Sequence, residues 1–182
     1  QSALMVFLKN QGLSINNPAD KDHFKHCYPI FAQRNKSLKR VLYVYGDLWS
    51  AARSHFRRNW VSTQVQKLQG TFRNGNINTF ASEVIKRGEE PIGMKKHFMA
   101  WSDAAETPQF KNKILFVTLE DLSNQQVSDF LGIVGPSMSN FQIKPRNRYQ
   151  NDQHFTKAKE ILKTHTATLR KRAININKRK KT

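Results

Sequence analysis

The chain has 182 residues, 38% of them hydrophobic and twelve of them Phe, and carries a formal net charge of +18. That apolar content excludes a disordered tail, the lack of any long apolar run excludes an obvious membrane-spanning helix, and the single cysteine excludes an internal disulfide. The positive charge predicts attraction to polyanions: nucleic acid, anionic sugars, anionic membrane surfaces or phosphorylated cofactors.

The opening stretch, QSALMVFLKN, reads as a helix with Leu4, Phe7 and Leu8 on one face and Gly12 beyond its end. It has no initiator Met, so the chain reads as a fragment or a processed product, which leaves room for a targeting signal upstream. Residues 13–22 form a polar connection. Residues 23–30, HFKHCYPI, suit a short strand ended by Pro29. Cys27 in that stretch fits a reducing compartment, and with the absence of a membrane-length run it predicts a soluble, cytoplasmic protein.

Residues 40–59, RVLYVYGDLWSAARSHFRRN, are the centre of the pattern. Val41, Leu42, Tyr43, Val44 and Tyr45 run without polar alternation, as a strand buried on both faces of a parallel sheet does. Gly46 breaks the run, and Asp47 is a capping residue for the helix that follows. Leu48, Ala51, Ala52, His55 and Phe56 share one face of that helix. A buried strand feeding a capped helix leaves N–H groups where a phosphate is favoured. The same pattern also suits a plain strand–turn–helix unit that binds nothing.

Residues 62–78 are polar, contain Gly70 and Gly75, and read as a loop with at most one helical turn. Ile77, Phe80, Ala81, Val84 and Ile85 mark a helix that stops at Gly88. Met94, His97, Phe98 and Trp101 mark a second, at i, i+3, i+4 and i+7. Residues 113–119, KILFVTL, form the second unbroken apolar run, with Glu120 and Asp121 at its end. Ser123 is placed to cap a helix carrying Val127, Phe130 and Leu131. A last helix covers residues 155–171. From Lys157 onward ten Lys or Arg stand against Glu160 alone, a net +9 and half of the total charge. Strands alternating with helices predict an α/β fold with a parallel central sheet flanked by helices. One domain is expected over residues 1–172, followed by a basic, disordered tail over 173–182.

Four stretches in this order resemble the cytosolic-type sulfotransferase family. RVLYVYGDLWSAARSHF resembles the family's strand–turn–helix, TFASEVIKRGEEPIGMKKHFMAW its helix and His/Trp segment, and KILFVTLEDL its strand ending in Tyr-Glu-Asp-Leu. HFKHCYP resembles the strand Lys-Thr-His-x-Pro that carries the catalytic base. The resemblance covers most of residues 1–135. It implies a P-loop-like α/β fold and transfer of a sulfuryl group from 3'-phosphoadenosine 5'-phosphosulfate (PAPS) to a hydroxyl or amine acceptor. It further implies contact of Ser54 with the 3'-phosphate of PAPS or of its product 3'-phosphoadenosine 5'-phosphate, with Arg53, Arg57 or Arg58 as the substitute cation. Lys144 and Arg146 fall near the family's C-terminal phosphate motif. His26 is the candidate base, because an imidazole has a suitable pKa. Cys27 is its competitor, since matching Lys25 and Pro29 puts Cys27 at the family's His.

Three departures go with the resemblance. The family's phosphosulfate loop, Lys-Ser-Gly-Thr-Thr-Trp, is not in this sequence, so the fold is expected to be N-terminally truncated, with its first strand and loop removed or never present. Gly46 stands where the family has the Arg that binds the 3'-phosphate. The His position is split between His26 and Cys27. A catalytically dead relative that binds RNA or another polyanion through the basic C-terminus, within a larger assembly, is therefore the alternative reading. Trp49, Trp60, Phe56 and Trp101 are candidates for stacking on bases, with Trp101 better suited to the core. His23, His26 and Cys27 lack the further ligands that a closed zinc site requires.

Overall fold

The computed structural model describes residues 2–15, 26–123, 125–133 and 153–179. Among these are eight helices and two strands. In chain order they are α1 (Ser2–Asn10), α2 (Pro29–Ala32), β1 (Val41–Tyr45), α3 (Leu48–Arg57), α4 (Val61–Lys67), α5 (Ile77–Arg87), α6 (Met94–Ala104), β2 (Ile114–Thr118), α7 (Gln125–Leu131) and α8 (Thr156–Lys178). The fold is α/β, as the alternation of patterns predicts.

The two apolar runs pair in parallel, with Val41 opposite Ile114 and Tyr45 opposite Thr118. Successive side chains on a strand point to opposite faces, and each face has its own cover. Ile114 and Phe116, with Val41, Tyr43 and Tyr45, belong to the larger core that includes Phe80, Phe98, Trp101 and Leu162. Leu115 and Val117, with Leu42 and Val44, meet Leu4 and Leu8 of α1 and Val127 of α7. That two-sided burial is what an unbroken apolar run codes for. All of β2 is buried, whereas every residue of β1 is half-buried. Among the described residues β1 has β2 as its only strand neighbour.

Helix α8 holds the layers together, packing on α3, α5, α6 and β2. Its Asn177 side chain acts as a substitute strand. The amide oxygen accepts from Phe116 N–H (3.2 Å), and the amide NH2 donates to Phe116 C=O (2.7 Å). Arg172 pairs with Asp103 of α6, and Arg179 with Glu106 at 3.2 Å. The expectation of a helix over 155–171 and a disordered tail from 173 is corrected here. The helix continues to Lys178, and Ala173 and Ile176 are buried. Its apolar stripe (Leu162, Leu169, Ala173, Ile176) runs on beneath the charges and anchors the end. Residues 180–182 lie outside the described residues.

Two further expectations change. Residues 26–30 contain no strand: His26 is in a turn, Tyr28 is extended, and Pro29 opens α2. Proline lacks the N–H that the first turn of a helix leaves unpaired anyway, so it starts this element where the pattern suggested it would end one. The polar stretch after Asn59 contains α4, nearly two turns long, which runs into a tight crossing. A Cβ on Gly70 would sit 2.1 Å from the Ile92 carbonyl, and one on Gly93, at φ 100°, 2.4 Å from that of Leu68. Both positions require glycine. The buried Glu90 carboxylate braces the same corner, accepting from Ile92 N–H (2.6 Å) and Lys95 N–H (3.1 Å) at the head of α6.

Candidate functional site

Ligands of open parallel sheets gather beyond the C-terminal ends of the strands. Here those ends are Tyr45 and Thr118, followed by the turn into α3 and by Glu120 and Asp121. Asp47 caps α3 as its sequence position predicts, its carboxylate accepting from Ser50 N–H at 2.7 Å. Leu48 N–H donates to the Thr166 hydroxyl of α8 at 3.2 Å, and Ala51 N–H to Asp47 C=O at 2.9 Å. The helix head expected to invite a phosphate thus already holds a carboxylate, and an anion there would meet its repulsion. Gly46 has no left-handed φ, and a Cβ added to it would meet nothing within 4 Å.

Arg53, Ser54 and Arg57 all lie on α3, Arg53 and Ser54 half-buried and Arg57 exposed. Arg53 and Arg57 are one turn apart, on adjacent positions of one face. A cation the sequence did not single out stands at the end of β1: Arg170 of α8, close enough to the Tyr45 hydroxyl to act on it electrostatically. Burial raises the Tyr45 pKa, Arg170 opposes the rise, and Asp121 and Glu120 add to it. Asp121 also fixes the end of β2, accepting from the Thr118 hydroxyl at 2.7 Å. Nothing in local spacing marks Arg170, because its place depends on how α8 packs. Lys144 and Arg146 lie outside the described residues.

The segment with His26 and Cys27 is held from the opposite direction. His97, buried in α6, has Nε2 3.0 Å from the Cys27 carbonyl, and Trp101 Nε1 donates to that same oxygen at 2.9 Å. A carbonyl can only accept, so Nε2 carries the proton and Nδ1 accepts from the Tyr43 hydroxyl at 2.8 Å. The Tyr28 ring stands edge-on to the imidazole at 4.9 Å, and the Tyr28 hydroxyl donates to Leu68 C=O at 2.7 Å. Burial lowers the His97 pKa, against the raising effect of its bonds to the Cys27 and His26 backbone. Burial pushes the Tyr43 hydroxyl far above its ordinary value. His97 is therefore a neutral structural link that fixes the loop carrying His26. With no strand here, strand alternation does not separate His26 from Cys27. Both are half-buried, and Cys27 packs against the core.

Trp49 is core, stacked at 5.1 Å from Phe155 and 6.2 Å from Phe80, and Trp101 is core as expected. Ser54, Arg53 and Arg57 suit a 3'-phosphate in charge and donor type, but no glycine-rich phosphate cradle occurs among the described residues. No family model, curated protein or solved structure matches the chain. Among the described residues no helix is long and apolar enough to cross a membrane.

Proposed function

We propose that this chain is a sulfotransferase-type protein with a P-loop-like sheet, which binds PAPS and moves its sulfuryl group to a hydroxyl or amine acceptor. The observation that carries the reading is the parallel pairing of VLYVY with ILFVT, which brings the Asp47-capped helix bearing Ser54 and the Glu120–Asp121 turn to one edge of one sheet. In this reading Ser54 donates its hydroxyl to the 3'-phosphate, and Arg53 and Arg57 neutralise it. Lys144 and Arg146 are further candidates from the sequence. PAPS, when bound, supplies the activated sulfuryl group. His26 accepts the proton that the acceptor's hydroxyl or amine releases. The α6 clamp on Cys27 fixes the loop from which His26 works.

The test is calorimetric titration of the full chain with 3'-phosphoadenosine 5'-phosphate and with AMP at moderate salt. Preference for the 3'-phosphorylated ligand, reduced in Ser54→Ala and in Arg53→Ala, supports the reading. Equal or no binding of the two nucleotides removes it.

A second reading is favoured by the carboxylate at the head of α3 and by Gly46: a catalytically silent relative that binds RNA or another polyanion through α8. The α8 surface carries Lys157, Lys163, Arg170, Lys171, Lys178 and Arg179, all exposed. Reversing Lys178 and Arg179 to Glu should then lower polyanion affinity and flatten its salt dependence.

A further inference from the structure

Just past Arg57, the last residue of α3, the chain presents an aromatic and cationic corner. The chain turns there through Asn59 at φ 54°. Asn59 N–H donates to Phe56 C=O and Trp60 N–H to His55 C=O, each at 3.0 Å, the paired bonds of a Schellman ending. This turn holds Trp60 out of the core at 51% exposure, whereas Trp49 and Trp101 are 5% and 4% exposed. The Arg58 guanidinium lies over the Trp60 indole, 5.2 Å from its centroid. Asn59 and Val61, the chain neighbours of Trp60, line a hollow of about 100 Å³ together with Phe56, Ser62, Phe72, Arg73 and Asn74. Phe56 and Phe72 meet edge to face at 5.7 Å, so the wall is a packed one.

The charge of the segment is one-sided. Residues 48–82 contain Arg53, Arg57, Arg58, Lys67 and Arg73 and no Asp or Glu. A polyanion approaching this segment meets attraction with no opposing carboxylate from it. An exposed indole under an arginine, with amides lining a nearby hollow, is the combination that recognises unpaired bases. The indole stacks on any base, the guanidinium groups meet phosphate, and the amides reach base edges.

We propose that the α3–α4 corner is a single-stranded nucleic-acid site. One base stacks on Trp60, Asn59 and Asn74 face its edge, and Arg58 and Arg73 take the flanking phosphates. The site stands apart from α8 and does not rest on PAPS binding.

The test titrates the full chain into a labelled oligouridine about twelve nucleotides long, a length that spans one such site. Anisotropy is read across a salt series, and tryptophan emission is read in parallel. Binding should quench the red edge of the emission, because Trp60 is the exposed indole. Trp60→Ala should weaken binding by about tenfold, and Trp60→Phe by much less. Arg58→Ala and Arg73→Ala should each lower the log–log salt slope by about 0.7. The Lys178→Ala/Arg179→Ala variant should keep the quenching. Trp60→Ala binding as the parent does, or no quenching at saturation, overturns the proposal. Heparin binding that is equally tight and equally sensitive to Trp60→Ala also overturns it, in favour of an anionic glycan. Should Trp60→Ala not fold, the quenching and Trp60→Phe arms decide the matter alone.

Discussion

Replacing His97 tests the link between β1, α6 and the loop carrying His26. The imidazole accepts from the Tyr43 hydroxyl at 2.8 Å and donates to the Cys27 carbonyl at 3.0 Å. His97→Leu keeps the site apolar but strands the Tyr43 hydroxyl, a cost of about 1–3 kcal/mol for a buried donor. The Cys27 carbonyl keeps Trp101, so it loses only a net bond of about 0.5–1.5 kcal/mol. The expected destabilisation is about 2–4 kcal/mol by urea unfolding at neutral pH. Tyr43→Phe removes the other partner, and in the double variant nothing is stranded. The double should therefore be less destabilised than the sum of the singles by about 1–2 kcal/mol. Acid sharpens the test. Burial holds the folded-state His97 pKa below the unfolded value of about 6.5. The unfolded chain then binds more protons, so the stabilisation is complete above that pH and is lost as pH falls toward the folded-state pKa, at up to about 1.4 kcal/mol per pH unit. His55, lowered by burial and by Arg58, acts in the same direction. His97→Leu should thus shallow the acid limb by one proton. Additive singles, or an unchanged slope between neutral pH and pH about 5, would refute the tautomer and the link.

Three other outcomes follow from single contacts. Asn177→Ala strips both partners from the Phe116 backbone and should cost about 2–4 kcal/mol, with faster exchange of the Phe116 amide. Asn177→Asp should rescue little, since a carboxylate cannot donate to the Phe116 carbonyl. Gly70→Ala drives a Cβ to 2.1 Å from the Ile92 carbonyl and should lower the thermal midpoint by several degrees, an overpacking cost of about 1–3 kcal/mol. Gly46→Arg enters open space, so stability should stay within about 0.5 kcal/mol of the parent. If the sulfotransferase reading holds, the added guanidinium should tighten 3'-phosphoadenosine 5'-phosphate binding by about tenfold or more, as a charge-assisted hydrogen bond does. Unchanged calorimetric affinity would count against a phosphate site at this edge.

The parts of the fold legible in the sequence are those whose signal is local. The runs Val41–Tyr45 and Ile114–Thr118 are strands because no polar residue interrupts them, and Gly88, at φ 67°, ends α5 because it alone nearby takes that conformation cheaply. Helix α4 was hidden. Its sequence VSTQVQK has weak helical propensity, and its end is Gln69 at φ 51° instead of a glycine. Gln64 and Leu68 bury its inner face, and packing outweighs propensity there. The last turns of α8 were hidden differently: charge density suggested a solvated tail, while Ala173, Ile176 and Asn177 were already in register with the stripe that reaches Phe116.

Site residues divide along the same line, with one physical conflict. Asp47 was readable as a helix cap, and the structure bears that out. Yet a carboxylate that satisfies a helix head also competes with any phosphate for it, so the signal that marks the start of α3 also argues against a backbone cradle there. Arg170 beside Tyr45, and Thr166 on Leu48 N–H, come from more than a hundred residues away and have no local signature. What this edge offers an anion is side-chain cations on two helices, not a ring of fixed N–H donors. Binding built that way is exposed to screening and pays to order long side chains, so it should fall steeply with ionic strength, whereas a backbone cradle would hold its ligand through the same salt range.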